Sequence, residues 1–254
     1  MKNSPQIILI ILVFLQFNYQ AIAADEFKIK TDSLSLHQPQ KNNLLDLGSL
    51  TAAGIIGTGV FLEFSKHKDH WYTSKFAFQD EVFKQIHDYT TVVDDYTQFA
   101  PLGISLGLIA LNKPGNNKRM GQISRLLTSE IIGLTVMGKL KTSTKRRRPN
   151  GIAITSFPSG HTTQAFIGAR YLDKEFGANY PWLKYTGYVL ATFTGVSRVM
   201  NNAHWISDIL VGAGIGILSV DLTYWAFDKL KKKNISISPI IVRKGAGLKF
   251  NILL

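Results

Sequence analysis

The sequence contains no cysteine among its 254 residues. This excludes disulfide bonds and thiol catalysis, but it does not identify the redox compartment of the protein. Acidic residues are also scarce, because 17 Asp and Glu are outnumbered by 29 Lys and Arg, giving a formal net charge of +12. A basic balance of this size favours an anionic partner, such as nucleic acid, acidic lipid or a phosphorylated substrate.

Long apolar runs are scarce too. A helix needs about 20 apolar residues to cross a bilayer, whereas most runs here reach about 11 to 17, and the mean hydropathy is only +0.06. The runs could be core helices of a soluble bundle, or membrane spans shortened by polar active-site ends. Basic clusters at 113–125 and 229–233 would lie on one side of a membrane, opposite 141–160 and 197–204. This charge placement favours a membrane-embedded bundle.

The N-terminus has the layout of a secretory signal peptide. Lys2 precedes the apolar segment 7–17, and Ala21-Ile22-Ala23 then supplies small residues two apart. The pattern predicts cleavage after Ala23, with an uncleaved anchor helix as the alternative. Either outcome exports the chain or holds it in a membrane, which argues against nucleic acid as its partner. The polar, aperiodic residues 24–47 are expected to form a mobile arm.

The remaining chain is predicted to be all-α, with about six core helices in a bundle over residues 48–233. An amphipathic segment around 82–93 is expected to lie on a membrane surface or over the core. Apolar residues on both sides of Gly245-Ala246-Gly247 predict a small β-hairpin over 234–254. The six core segments are 48–64, 101–111, 126–140 and three that begin near His161, Leu183 and Trp205.

Three polar stretches interrupt these segments, and one of them carries Arg198, His204 and Asp208. His204 and Asp208 are four residues apart, so their side chains would meet on one helix face. A carboxylate bonded to one imidazole nitrogen fixes the tautomer and leaves the other nitrogen as a directed nucleophile or base. Arg198 offers a planar fork of donors to an oxyanion. Taken alone, the pair could equally be an ordinary helix-surface pair.

The second stretch, residues 141–149, holds the densest positive charge in the chain. Lys141 and Arg148 could converge on one phosphoryl group, whose equatorial oxygens require several fixed cations. A solvated basic loop, or a patch for acidic lipid headgroups, is the simpler interpretation and suits Lys145, Arg146 and Arg147.

The third stretch runs from Ser156 to Thr163 and precedes an apolar run. Ser159 is predicted to cap a helix whose first free amides form an anion site. Gly160 allows close approach of the backbone to a ligand, and His161 could give a proton to a leaving oxygen. A plain N-cap and a surface histidine are the alternative.

Together and in this order, the three stretches resemble the three-part signature of the type 2 phosphatidic acid phosphatase superfamily. The resemblance implies that His204 attacks phosphorus and becomes a phosphohistidine, that Asp208 orients it, and that His161 is the general acid. It also implies a metal-free site without a cofactor, and the sequence shows no acidic cluster near the histidines. The groups implied to hold the phosphoryl oxygens are Lys141, Arg148, Ser159, Gly160 and Arg198.

Several branches of that superfamily remain open. The short interval between Pro149 and Pro158 and the apolar helices resemble the lipid phosphatases, whereas soluble periplasmic acid phosphatases and vanadate haloperoxidases are less similar. The expected substrate is an envelope lipid: lipid A phosphate, undecaprenyl pyrophosphate or phosphatidylglycerol phosphate. The expected location is a bacterial inner membrane with the site facing the periplasm, and a soluble periplasmic protein is the alternative. A non-catalytic anion-binding envelope protein also fits, and the sequence leaves the oligomeric state open.

Overall fold

The computed structural model describes residues 47–65, 74–86, 89–233, 235–242 and 245–252. The expected signal peptide and nearly all of the expected arm lie outside these residues. Within them the chain forms a helical bundle, which confirms the all-α class predicted for the core. In chain order the elements are α1 (Leu47–Phe64), α2 (Lys75–Ile86), α3 (Val93–Thr97), α4 (Ala100–Ala110), α5 (Arg119–Thr144), α6 (Gly160–Phe176), α7 (Pro181–Met200), α8 (Ile206–Lys232), β1 (Ile235–Val242) and β2 (Gly245–Ile252).

Helix α6 is the centre of the bundle, since 13 of its 17 residues are buried. It packs against α4, α5, α7 and α8. Helix α8 approaches α6 so closely that glycine is required at two positions. A β-carbon on Gly212 would lie 2.8 Å from the Ser159 carbonyl oxygen, and one on Gly216 would lie 2.7 Å from that of Thr163. These two contacts fix the start of α6 against the first half of α8.

Helix α5 is longer than its apolar run. The core segment was expected to begin at residue 126, but the helix already begins at Arg119, within the basic stretch 113–125. Arg125 explains the difference, because its guanidinium lies 4.8 Å from the ring centroid of Phe227 and 3.4 Å from an Asp228 carboxylate oxygen. The charged Arg125 side chain therefore packs on α8 and does not lie in a solvated loop.

Several helices of the bundle carry large apolar side chains on the exterior. Among the described residues, α8 alone has the length and hydropathy needed to cross a membrane, and most of its apolar window is buried by other helices. Large exposed hydrophobic side chains are spread over the outer faces of α1, α4, α5 and α7. They include Leu50, Val60, Phe61, Phe64, Leu106, Met120, Leu127, Ile131, Leu134, Val136, Trp182, Val189 and Phe193.

The two strands follow α8 and pair with each other. They are antiparallel, with a register that runs from Ile235 opposite Ile252 to Val242 opposite Gly245. Strand β1 lies against α5 and α8, at the end of α8 remote from its first turn.

Candidate active site

All three polar stretches identified in the sequence lie at one end of the bundle. Helices α5 and α7 end there, and α6 and α8 begin there. The Ser159 amide donates to the Asp208 carbonyl at 3.0 Å, which joins the starts of α6 and α8. A β-carbon on Gly160 would lie 3.5 Å from the Lys141 ammonium, so the end of α5 meets the same point.

His204 and Asp208 are in contact, but not through the expected helical spacing. The helix begins at Ile206, so His204 precedes it and Asp208 is its third residue. The Asp208 carboxylate accepts the Trp205 backbone N–H at 2.9 Å and also accepts from the Ser156 hydroxyl. An acid at this position satisfies a free amide and the helix dipole. The carboxylate is thereby held 3.4 Å from Nδ1 of His204.

The other ring nitrogen of His204, Nε2, is buried and has no hydrogen-bond partner among the described residues. Burial lowers the pKa of His204 to about 4, the Asp208 carboxylate opposes that shift, and the charges of Arg148 and Arg198 add to it. The ring is therefore neutral near pH 7. A neutral ring that donates from Nδ1 to Asp208 presents the lone pair of Nε2.

Three cations belong to this end of the bundle. Arg148 and Arg198 act electrostatically on His204, and both of them, with Asp208, act on Lys141. Burial and the neighbouring Arg198 lower the pKa of Arg148. Within the described part of the chain, the Nε atoms of Arg148 and Arg198 are buried without partners. Buried donors of this kind require an acceptor, and an oxyanion supplies several at once.

The start of α6 has the predicted cap. The Ser159 hydroxyl oxygen accepts from the Thr162 amide at 3.4 Å and from the Thr162 hydroxyl at 2.9 Å. Ser159 is fully buried. Gly160 and His161 occupy the first turn, where the amides have no partner within the helix. The helix dipole adds positive potential at this position.

His161 has acidic neighbours that the sequence pattern does not predict. The expectation of no acidic cluster near the histidines is wrong, because Asp95 Oδ1 lies 2.8 Å from His161 Nε2. Its neighbour Asp94 accepts from Arg198 at 2.7 Å. Burial and Arg198 lower the pKa of His161, whereas both aspartates raise it. The available signal was the Asp94-Asp95 doublet just before the apolar run 101–111, at the site end of the bundle.

Asp94, Asp95 and His161 also form the group that, among the described residues, most resembles the ligand set of a metal ion. One ligand atom from each of Asp94, Asp95 and His161 lies within 4.8 Å of the other two. Arg198 donates to Asp94 and lies 3.5 Å from Asp95. The guanidinium therefore supplies the positive charge that these carboxylates need, and the cluster is an ion-pair network.

The basic loop after α5 is only partly solvated. Lys145 and Arg147 are exposed, as expected, but Arg146 is half-buried and pairs with Glu63 of α1. Glu63 also accepts from Lys75 at 2.8 Å and from Ser207 at 3.0 Å. This group of four residues, the Glu63 clamp, ties the loop to α1, α2 and the start of α8. Arg146 is therefore not part of a fully solvated loop, whereas a headgroup contact by this loop stays a prediction.

Comparison with known proteins agrees with this arrangement. A family model described as the PAP2 superfamily matches residues 122–232. A Porphyromonas gingivalis protein, lipid A 1-phosphatase, is 37% identical over 161 residues, which are 62% of this chain but 36% of that protein. The chain thus spans about a third of the length of that relative. Bacillus licheniformis bacitracin transport permease protein BcrC is 28% identical over 167 residues, covering 61% of this chain and 80% of BcrC.

Two solved structures also match, each with 19% sequence identity. Aquifex aeolicus LpxE has a TM-score of 0.46, covering 57% of this chain and 93% of LpxE. The Bacillus subtilis transmembrane PAP2 type phosphatidylglycerolphosphate phosphatase has a TM-score of 0.48, covering 71% of this chain and 98% of that protein. The family match runs from α5 into the last turn of α8 and contains all three polar stretches. Residues 122–232 of the chain are therefore a PAP2 superfamily domain.

Proposed function

We propose that this protein is a membrane phosphatase that hydrolyses phosphate esters or diphosphates of envelope lipids through a phosphohistidine on His204. One observation carries the proposal. The buried Nε2 of His204 has no partner among the described residues, and Asp208 lies against the other ring nitrogen. The charges of Arg148 and Arg198 act on this ring, and both arginines act on Lys141. A neutral nucleophile surrounded by cations suits an anionic electrophile such as a phosphoryl group.

In the first step Nε2 of His204 attacks phosphorus. The N–P bond forms as the bond to the leaving oxygen breaks, and His161 gives its proton to that oxygen. The three cations, with the Ser159 hydroxyl and the Gly160 amide, hold the equatorial oxygens as charge develops. Asp208 stabilises the positive charge that the His204 ring gains.

In the second step water attacks the phosphohistidine. His161, now neutral, takes a proton from the water as the P–O bond forms. The N–P bond breaks and returns its electron pair to Nε2 of His204. Inorganic phosphate leaves, and both histidines return to their starting protonation states. No step requires a metal ion, because the side chains and the helix amides supply the positive charge.

A lipid substrate is supported by two independent considerations. The first is the resemblance to the Porphyromonas lipid A 1-phosphatase, which is 37% identical over 161 residues. The second is the set of large apolar side chains exposed on α1, α4, α5 and α7, since exposed apolar patches commonly mark membrane or protein contact surfaces. We place the bundle in a bacterial inner membrane, with the site at the periplasmic end. Lipid A 1-phosphate is the first substrate to test, ahead of undecaprenyl pyrophosphate and phosphatidylglycerol phosphate.

The test is phosphate release from each of these three lipids by the purified protein in detergent. We expect His204→Ala and His161→Ala to reduce turnover by at least about a hundredfold, since each removes a group that acts on the reacting atoms. Lys145→Ala is the matched control, because Lys145 is exposed; it should change KM at most severalfold and leave kcat unchanged. Equal losses from all three variants would contradict the assignment. A folded wild-type protein that binds phosphate without releasing it from any lipid would indicate a non-catalytic binding protein.

A further inference from the structure

Short helix α3 places two carboxylates against the proposed acid and one proposed phosphate ligand. Asp95 Oδ1 lies 2.8 Å from His161 Nε2 and 3.5 Å from Arg198 Nη1. Asp94 is fully buried and accepts from Arg198 at 2.7 Å. The roles proposed above for Lys141, Arg148, His161, Arg198 and His204 leave this acidic pair unexplained.

The pair is held firmly at the end of α7. Asn201 donates from Nδ2 to Asp94 Oδ1 at 3.0 Å and to the Thr91 carbonyl at 2.8 Å. The Thr91 amide in turn donates to Asn201 Oδ1 at 2.9 Å. Two threonine hydroxyls, those of Thr97 and Thr194, meet at 2.9 Å on the next turn. These bonds fix Asp94 and the backbone of α3, from which the half-exposed Asp95 side chain reaches His161.

A general acid must hold a proton at the working pH, and burial together with the neighbouring cations acts against this at His161. Burial and Arg198 of α7 both lower its pKa, and Lys141 at the end of α5 adds a further cation beside the first turn of α6. The opposing charges are Asp94 and Asp95 of α3. Among these groups, Asp95 alone is hydrogen-bonded to the ring.

We infer that Asp95 is the positioning residue for the general acid: it accepts the Nε2 hydrogen of His161 and so directs Nδ1 to the leaving-group oxygen. Asp94 performs the matching task for Arg198. The site then contains two histidine–carboxylate pairs, His204–Asp208 for the nucleophile and His161–Asp95 for the acid. In the first step the proton on Nδ1 moves to the leaving oxygen while Nε2 keeps its hydrogen on Asp95. In the second step Nδ1 receives a proton from water.

The inference rests on the proposed function, so its test has one part that depends on turnover and one that does not. The first part compares Asp95→Asn with Asp80→Asn, an exposed acid of α2. Asparagine keeps the shape of the side chain and removes its charge. We expect Asp95→Asn to lower kcat at least tenfold and to move the alkaline limb of the kcat profile to lower pH. The sign follows because a lower His161 pKa means that the acid loses its proton earlier as the pH rises.

The second part measures the His161 pKa directly, without substrate, by histidine NMR with His161→Ala for assignment. Asp95→Asn should lower this pKa, and Asp80→Asn should leave it unchanged. An unmoved His161 pKa, or lost turnover with an unmoved alkaline limb, would overturn the inference and leave Asp95 a purely structural role. Faster turnover with tighter phosphate inhibition would also overturn it, since Asp95 would then compete with substrate. If the wild type is inactive on every lipid, the proposed function fails, while the pKa difference still reports the ion pair.

Discussion

The chemistry of the candidate site depends on how one imidazole is buried. His204 is fully buried, so its charged form is disfavoured despite the adjacent carboxylate. The sequence predicted the His204–Asp208 contact correctly but for an incorrect geometric reason. Asp208 reaches the ring from the start of a helix, where it also accepts the Trp205 amide. The orientation of the Asp208 carboxylate is thus set by its hydrogen bond to the backbone and not by His204 alone.

This burial makes the stability of the protein depend on pH. The His204 pKa is about 4 in the folded protein, whereas an unperturbed histidine has a pKa of 6.5. Below pH 6.5 the unfolded chain therefore binds a proton that the folded protein does not, and stability falls as the pH falls towards 4. From pH 7 to pH 5 we expect the wild type to lose on the order of 2 kcal/mol more than His204→Gln. Denaturant unfolding in detergent at both pH values measures this, and equal losses would show that His204 is not buried as described.

Asp94 and Asp95, the acidic pair beside His161, give a second prediction about individual residues. Because Arg198 already contacts both Asp94 and Asp95, we expect phosphatase activity to be unchanged by EDTA and by added divalent cations. The same assay should be run on Arg198→Lys as a control, since this change weakens the guanidinium contacts. Loss of wild-type activity on chelation, restored by one divalent metal, would show that the cluster holds an ion.

At the scale of elements, the start of α6 was readable from the sequence, whereas the start of α5 and the long-range pairs were not. Ser159 before Gly160 predicted the start of α6 because capping is local. The Glu63 clamp joins residues up to 144 positions apart, and no spacing rule indicates that Glu63 would meet Arg146. The same limit applies to Asp95 and His161, which are 66 residues apart. Sequence patterns identified the motifs, but not the acids that position them.

The Glu63 clamp predicts a coupled loss of stability and turnover. Glu63→Gln leaves half-buried Arg146 and buried Lys75 without a carboxylate, which should cost about 1–3 kcal/mol in unfolding free energy. Ser207 adjoins Asp208, so kcat should fall as well, with KM little changed. Glu81→Gln is the matched control, because its 3.7 Å pair with Lys84 is on the surface and such pairs contribute at most about 1 kcal/mol. Similar effects in both variants would mean that the clamp is not structural.

At the scale of the whole molecule, the apolar exterior separates two charged ends. Arg125 and Asp228 meet at 3.4 Å at one end, where the basic clusters at 113–125 and 229–233 lie together, and the candidate site lies at the other. Short apolar runs had left a soluble bundle open as an explanation. The exposed side chains of α1, α4, α5 and α7 favour a lipid environment instead, because they are contributed by several helices rather than one.

The orientation is testable because the chain has no cysteine of its own. Lys145→Cys introduces one thiol near the site, and Lys118→Cys introduces one at the start of α5, at the opposite end. In intact cells with a permeable outer membrane, a membrane-impermeant maleimide should label the first variant and not the second. Both should be labelled in detergent. The reverse pattern would place the site in the cytoplasm, and equal labelling in intact cells would argue against a spanning bundle.

The central claim is that His204 forms a covalent bond to phosphorus, and it is tested by trapping that intermediate. The enzyme is mixed with ³²P-labelled lipid phosphate, quenched in alkali to preserve phosphohistidine, digested and analysed by mass spectrometry. We predict acid-labile phosphate on the peptide that contains His204, and none in His204→Ala. His161→Ala should accumulate more phosphohistidine than the wild type. This follows if loss of the general base slows hydrolysis of the intermediate more than loss of the general acid slows formation of the intermediate. Phosphate release at a normal rate with no labelled protein, or a label on another residue, would contradict the account.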